Sequence, residues 1–287
     1  MRLYFWLTVS AVGFFAARFM LGPFYLAGFY NIISPPGIKE RKDIQFGEQE
    51  RLKLDIYHPH SPDKNMPVVV FFHGGGWDSN NKDVFSFVGR SLARQGLMVV
   101  IPNYRLAPDY KYPIQVKDAA LAVKWVEDNI SSYGVIPGQI ILSGHSAGAH
   151  LAAMVGFSSK WQKYYDLNPD NIKKLVLLSG VYKFSPGYSE GHEIIKNFVP
   201  EEYWQEAQPT NHLEDKAPYT IIWQGGKDRT VYPIQAEFLA GLMQKKDLDF
   251  DLKIFSRHNH FSLLISLTKS KYSKVYFQEN KGVEKEG

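Results

Sequence analysis

Five short apolar runs, Val68–Phe72, Leu97–Ile101, Ile140–Leu142, Leu175–Leu178 and Tyr219–Trp223, recur along the chain with little polar alternation inside them. A strand of that kind has no face to give to water, so it belongs in a parallel sheet covered on both sides. The segments between carry helical spacing instead. Val116, Ala119, Val123, Val126 and Ile130 fall three and four apart, with Lys117, Lys124 and Glu127 turned outward. Strands alternating with helices in this way predict an α/β fold with right-handed crossovers. One earlier segment differs, because Leu52, Leu54 and Ile56 interleave with Arg51, Lys53 and Asp55. That alternation predicts a half-exposed, antiparallel strand ending at Pro59.

With 287 residues the chain has room for one large domain and an appendage. A net charge of +4 leaves no basic face for nucleic acid. The absence of cysteine removes disulfides, thiol nucleophiles, thiolate zinc sites and cysteine-linked lipids. The N-terminus is unlike the rest: from Leu3 to Ile38 the only charged side chain is Arg18. Such a stretch needs a lipid or protein partner. It fits an uncleaved membrane anchor over residues 3–33, a cleaved export signal, or a pair of helices packed on the domain as a lid. The first two place the protein at a membrane or the cell envelope, the third in the cytoplasm. Ser34-Pro35-Pro36-Gly37 then marks the boundary of the following domain.

The chemistry gathers at strand ends. Ile140–Ser143 runs into Gly144-His145-Ser146-Ala147-Gly148, and Ala149–Val155 reads as helix, so a GxSxG pattern sits in a strand, turn, helix context. The flanking glycines fit a tight turn in which side chains would collide with backbone, leaving Ser146 exposed above the sheet as a nucleophile. Earlier, Val68–Phe72 ends in His73-Gly74-Gly75-Gly76-Trp77. Three consecutive glycines bring bare N–H groups close to a reacting oxygen, so Gly75, Gly76 and Ala147 form the expected oxyanion hole. A phosphate cradle is disfavoured because neither GxxxxGK[ST] nor GxGxxG occurs here. His73 is expected to orient the glycine loop. Trp77 either lines the substrate pocket or packs, and His145, flanking the nucleophile, supports it and lines the same pocket.

The HGGGW loop, Tyr104-Arg105-Leu106-Ala107-Pro108, Tyr112-Pro113, Asp118-Ala119-Ala120 and GHSAGAH, in that order, resemble the α/β-hydrolases of the hormone-sensitive-lipase and arylformamidase-like esterase group. The resemblance runs from about Tyr30 to Leu264 and is closest to bacterial carboxylesterases that carry an apolar leader. It implies an eight-stranded, mostly parallel sheet flanked by helices and a Ser-Asp-His triad in that chain order. It also implies no metal or organic cofactor, and hydrolysis of carboxylic esters, with some members cleaving N-formylkynurenine or feruloyl esters. On this basis residues 1–35 are the hydrophobic segment, 36–275 the catalytic domain and 276–287 a charged tail.

The chain order directs the search for the acid and base. Tyr219–Trp223 leads into a glycine-rich loop holding Asp228, the expected acid. Asp215 precedes its strand and Asp118 lies in a helical pattern, so both are weaker rivals. The family's His-Gly is here Gln224-Gly225, a departure at a supporting position. After the alternating, edge-like strand Phe250–Phe255, His260 matches the family's loop histidine, with His258 as the rival. Neither this pair nor His58 with His60 has metal-ligand spacing, so no metal is expected. The segment from Gly180 to Pro218, with Tyr182, Phe184, Tyr188, Phe198, Tyr203 and Trp204, reads as a short lid. The resulting expectation is a serine carboxylesterase acting on a small ester with short-to-medium acyl or aryl groups. Its alternatives are an arylformamidase and a catalytically silent binding protein of the same fold. No pattern in the sequence sets an oligomeric state.

Overall fold

The computed structural model describes residues 37–184, 192–267 and 277. The N-terminal apolar segment, Tyr188 and the charged tail apart from Phe277 lie outside the described residues. Eight strands form one sheet in the order β1-β2-β4-β3-β5-β6-β7-β8. They are β1 Ile38–Gln45, β2 Lys53–Pro59, β3 Val68–Phe72, β4 Met98–Pro102, β5 Ile140–His145, β6 Ile172–Leu178, β7 Tyr219–Gly225 and β8 Phe250–Phe255. The pairs β1/β2 and β2/β4 are antiparallel; every other pair is parallel.

The apolar runs become parallel strands because both faces of the sheet are covered. Along β3, Val68, Val70 and Phe72 enter one core with α2 (Ile114–Asn129), α3 (Ala147–Phe157) and α6 (Ile234–Lys245). Val69 and Phe71 enter the other core with α1 (Ser86–Ala93) and α7 (His260–Ser266). Two short helices, α4 (Ser159–Tyr164) and α5 (His192–Phe198), complete the described α-helices. The expected periodicity of α2 holds, with Val116, Ala119, Val123, Val126 and Ile130 all buried. At about 25 cal/mol per Å² of apolar surface removed from water, these two covered faces supply the main drive to fold.

One expectation fails. The antiparallel strand β2 is not half-exposed: Leu54, Asp55, Ile56, Tyr57 and His58 are all buried. Helix α1 covers its outer face so closely that a Cβ on Gly89 would lie 2.4 Å from the Tyr57 ring. Asp55 tolerates burial because Lys42 Nζ at 2.7 Å and Lys82 Nζ at 3.0 Å neutralise it, and Tyr57 Oη donates to it at 3.0 Å. The one acidic residue of β2, Asp55, thus belongs to an ion-pair cluster and not to a solvated face.

Parallel strands point their carboxyl ends the same way, so the loops after β3, β5, β7 and β8 emerge at one edge. Strand order reverses between β3 and β5, and a crevice opens outside the carboxyl ends at such a switch. What brings the β3 loop onto the start of α3 is contact between bare backbones. A Cβ on Gly148 would lie 2.0 Å from the Phe72 carbonyl oxygen, and one on Gly144 would lie 2.3 Å from Gly148 C. Overpacking of this kind costs about 1–3 kcal/mol or more, so Gly148→Ala should lower the thermal midpoint and reduce turnover together. A variant with unchanged melting would contradict this apposition.

Candidate active site

Ser146 occupies φ 57°, ψ −121°, a strained conformation for a residue with a side chain. Three contacts hold it there. Its N–H donates to Leu178 O at 2.9 Å on β6, and its carbonyl accepts from Ala149 N at 3.0 Å and His150 N at 3.2 Å, which start α3. The side chain is thereby set at the amino end of an entirely buried helix, where the dipole and free N–H groups favour negative charge.

The glycine loop lies beside it. Gly75 and Gly76 have φ of 130° and 57°, and a Cβ on Gly75 would meet Ser79 O at 2.4 Å. The loop is tied by its carbonyls: Gly75 O accepts from Asp78 N, Ser79 N and Ser79 Oγ, and Gly74 O from His73 Nδ1 at 2.9 Å. Among the described residues the N–H groups of Gly75, Gly76 and Ala147 donate to no protein acceptor. His73 is placed as a loop-orienting residue. Its ring stacks on Tyr104 at 4.2 Å, and Tyr104 Oη donates back to His73 O at 3.0 Å. Arg51 extends the brace, donating to Tyr104 O at 2.7 Å and Asn80 O at 2.6 Å.

Asp228 follows β7 and is buried. Its Oδ1 accepts from Thr230 N at 3.0 Å and Val231 N at 2.9 Å; its Oδ2 accepts from His260 Nδ1 at 2.7 Å. Burial works to raise its pKa, but the hydrogen bond and charge of His260 and the Val231 N–H outweigh that and hold it below the usual carboxylate range. With Nδ1–H committed to Asp228, the proton-accepting nitrogen of His260 is Nε2. His260 and Ser146 line one cavity of about 260 Å³ with Gly74, Gly75, Gly76 and Ala147. The rivals fall elsewhere. Asp118 is forked by Arg105, Asp215 is exposed and paired with Lys246, and His258 packs its ring against Phe255.

Gln224, standing where the family has histidine, donates to Asp228 Oδ2 at 3.3 Å and to Val231 O at 2.9 Å. The supporting position is therefore filled by an uncharged donor that holds the acid loop closed. Trp77 both lines the cavity and packs: its ring stacks on Phe198 at 4.2 Å, and its Nε1–H donates to His150 Nδ1 at 3.2 Å. His145 lines the cavity too, and its Nε2 is committed to His260 O at 2.9 Å. Of the aromatics in the expected lid, Tyr182, Phe184 and Phe198 belong to the core, while the cavity is met by the aliphatic Val181, Ile194 and Ile195.

The role of His150 is not evident from sequence patterns. Accepting from Trp77 and donating Nε2–H to Ala207 O at 2.7 Å, it ties the glycine loop, the nucleophile helix and the segment after α5. A single histidine in the otherwise apolar helix pattern, four residues after Ser146, is the only hint in the sequence.

The BD-FAE family model matches residues 54–243, from β2 to the end of α6. The chain belongs to the BD-FAE family. The chain is 33% identical over 236 residues to kynurenine formamidase of Danio rerio, covering 80% of this chain and 78% of that one. It is 29% identical over 284 residues to a probable isoprenylcysteine alpha-carbonyl methylesterase of Arabidopsis thaliana, covering 91% of this chain and 59% of that longer one. Esterase B from Lactobacillus rhamnosis, solved with a tributyrin phosphonate inhibitor, superposes with a TM-score of 0.73 at 18% identity, covering 92% and 88% of the two chains, and shares the fold. This BD-FAE member has the α/β-hydrolase fold.

Three histidines of this BD-FAE domain are fully buried, and burial is the first cause of their depressed pKa values: about 3 for His73, about 3 for His145 and about 4 for His150, against 6.5 for a free side chain. Below pH 6.5 the unfolded chain takes up protons that the folded one refuses, so stability should fall as pH drops from about 6.5 towards 4. Asp228, with its lowered pKa, adds its own loss only at still lower pH. Thermal denaturation between pH 7 and 4.5 checks this, and His150→Gln should give a shallower slope than the parent. A melting temperature flat across that range would contradict the buried neutral histidines.

Proposed function

We propose that the protein is a serine carboxylesterase that cleaves neutral esters with short-to-medium acyl or aryl groups. Ser146 is the nucleophile, His260 the base, Asp228 the orienting acid, and the N–H groups of Gly75, Gly76 and Ala147 the oxyanion hole. His260 Nε2 removes the Ser146 proton as Oγ attacks the ester carbonyl, and the oxyanion that forms lies against the three free N–H groups. The imidazolium, held by Asp228, then protonates the departing alcohol. Water repeats the sequence on the acyl-enzyme and releases the acid. Each oxyanion donor contributes about 100–1000-fold to such a rate.

The observation that carries the substrate class is the chemistry of the cavity wall. Around Ser146 it consists of glycine-loop backbone, Trp77, Phe85, Val181, Ile194, Ile195, Val231 and Phe261, with a few neutral polar groups. Among the described residues that line it there is no Asp, Glu, Lys or Arg. A neutral acyl chain loses nothing on entering such a site, whereas a charged group would lose its hydration without a counter-ion. At about 260 Å³ the cavity lies at the small end for ligand pockets, which suits short chains over long ones.

A second reading, formamidase activity, is favoured by the similarity to the zebrafish kynurenine formamidase. The same triad serves both reactions. The uncharged wall supports the ester instead, because N-formylkynurenine brings an amino-acid head with two charges. The apolar stretch at residues 3–33 supports a location at a membrane or the cell envelope, as a further part of the proposal.

Steady-state hydrolysis of a p-nitrophenyl ester series beside N-formylkynurenine tests the reading. Short esters should be cleaved with the higher kcat/KM, and Ser146→Ala should lower turnover by about 10⁴-fold or more with melting unchanged. Faster cleavage of the formamide would make the second reading the right one. Substantial turnover by the Ser146→Ala protein would reject the nucleophile.

A further inference from the structure

We infer that His145 is a positioning residue for His260, a wedge that sets the catalytic base against the nucleophile. The inference rests on the proposed roles of Ser146 and His260 and adds a residue to them. His145 is the last residue of β5 and His260 the first of α7, 115 positions apart, yet the two side chains meet. His145 Nε2–H donates to the main-chain oxygen of His260 at 2.9 Å, and the ring centroids stand 4.4 Å apart with the planes inclined at 47°. Both residues are at least 95% buried.

The opposite edge of the ring is held just as closely. A Cβ on Gly74 would lie 2.9 Å from His145 O and 3.0 Å from His145 Nδ1, so the glycine loop closes onto the same imidazole. One side chain therefore touches three loops: its own nucleophile turn, the glycine loop and the base loop. Asp228 fixes the rotation of the His260 ring through Nδ1, but nothing in that bond fixes the His260 backbone. The His145 bond does, from the Ser146 side.

The wedge must also be uncharged. His260 becomes an imidazolium when it takes the serine proton, and a second cation 4.4 Å away would oppose that step. The charged or titratable groups facing His145 are His260 and, behind it, Asp228; burial outweighs the attraction of Asp228 and keeps the ring neutral. A neutral side chain with one N–H at the right reach meets both demands. Glutamine places its amide nitrogen where histidine places Nε2, while asparagine reaches only as far as Nδ1.

The test uses the full chain, with thermal melting recorded for each variant, and reads the rate of Ser146 phosphonylation by a fluorophosphonate as well as kcat, KM and the pH profile on p-nitrophenyl butyrate. His145→Phe and His145→Asn should label about 10–100-fold more slowly, as a small displacement of a catalytic group does. The loss should fall on kcat with KM held within about twofold, and the acid limb of the profile should shift. His145→Gln should restore the rate to within about threefold of the parent. A folded Phe or Asn variant with the parent's labelling rate and pH profile would overturn the inference, as would a Gln variant no faster than Asn. If the parent protein itself resists labelling, the assignment of Ser146 and His260 fails, and the inference with it.

Discussion

Backbone meets backbone where α3 leaves the sheet, and the remainder of the site is arranged around that contact. Gly148 sits so close to the carbonyls of Phe72 and His73 that no side chain fits between them. Gly144 closes on Gly148 in the same way. These approaches force the tight turn that lifts Ser146 into its strained conformation, and they bring the glycine loop alongside the helix start. Burial of α3 on all sides supplies the energy that holds the strain. The glycines of GHSAGAH are thus steric requirements of two elements that must touch, and the nucleophile turn follows from them.

Around this contact the site is fastened by neutral imidazoles. His73 donates to Gly74 O, His145 to His260 O and His150 to Ala207 O, so three loops are each held through a main-chain carbonyl. Buried carbonyls left without a donor cost about 1–3 kcal/mol each, which makes these side chains structural as well as local. An imidazole suits the task because it brings a flat ring for packing and one N–H, and deep burial keeps it uncharged. Among the described residues of the cavity wall there is no Asp, Glu, Lys or Arg, and the proposed preference for neutral substrates rests on that.

Much of the architecture could be read before the fold was known. The five apolar runs became strands because each is sandwiched between two cores, and the edge position of β8 matched its alternating pattern. Ser146, Asp228 and His260 follow from motif and chain order; Asp228 is hydrogen-bonded to His260, and His260 lines the same cavity as Ser146. What stayed hidden shares a physical cause. Strand β1, Ile38–Gln45, is rich in charge because its partners are ion pairs, such as Glu40 with Arg90, rather than an apolar face. Asp55 on β2 suggested exposure for the same reason, since the lysines that neutralise it come from β1 and the loop before α1. His150 and Gln224 act through partners 57 and 4 residues away that only the folded chain defines. The aromatics between Gly180 and Pro218 signalled a lid, yet a side chain's presence in a covering segment does not say which way it faces: Tyr182, Phe184 and Phe198 turn inward, whereas Tyr203 is exposed.

In the proposed mechanism Ser146 carries the acyl group during turnover. Rapid quenching of the full-length protein with a slowly hydrolysed ester, followed by intact-mass and peptide mass spectrometry, measures that directly. An adduct of the mass of the acyl group should build up on the peptide containing Ser146 within the first turnover and decay at the rate of acid release. Turnover with no acyl adduct, or an adduct on another residue, would contradict it.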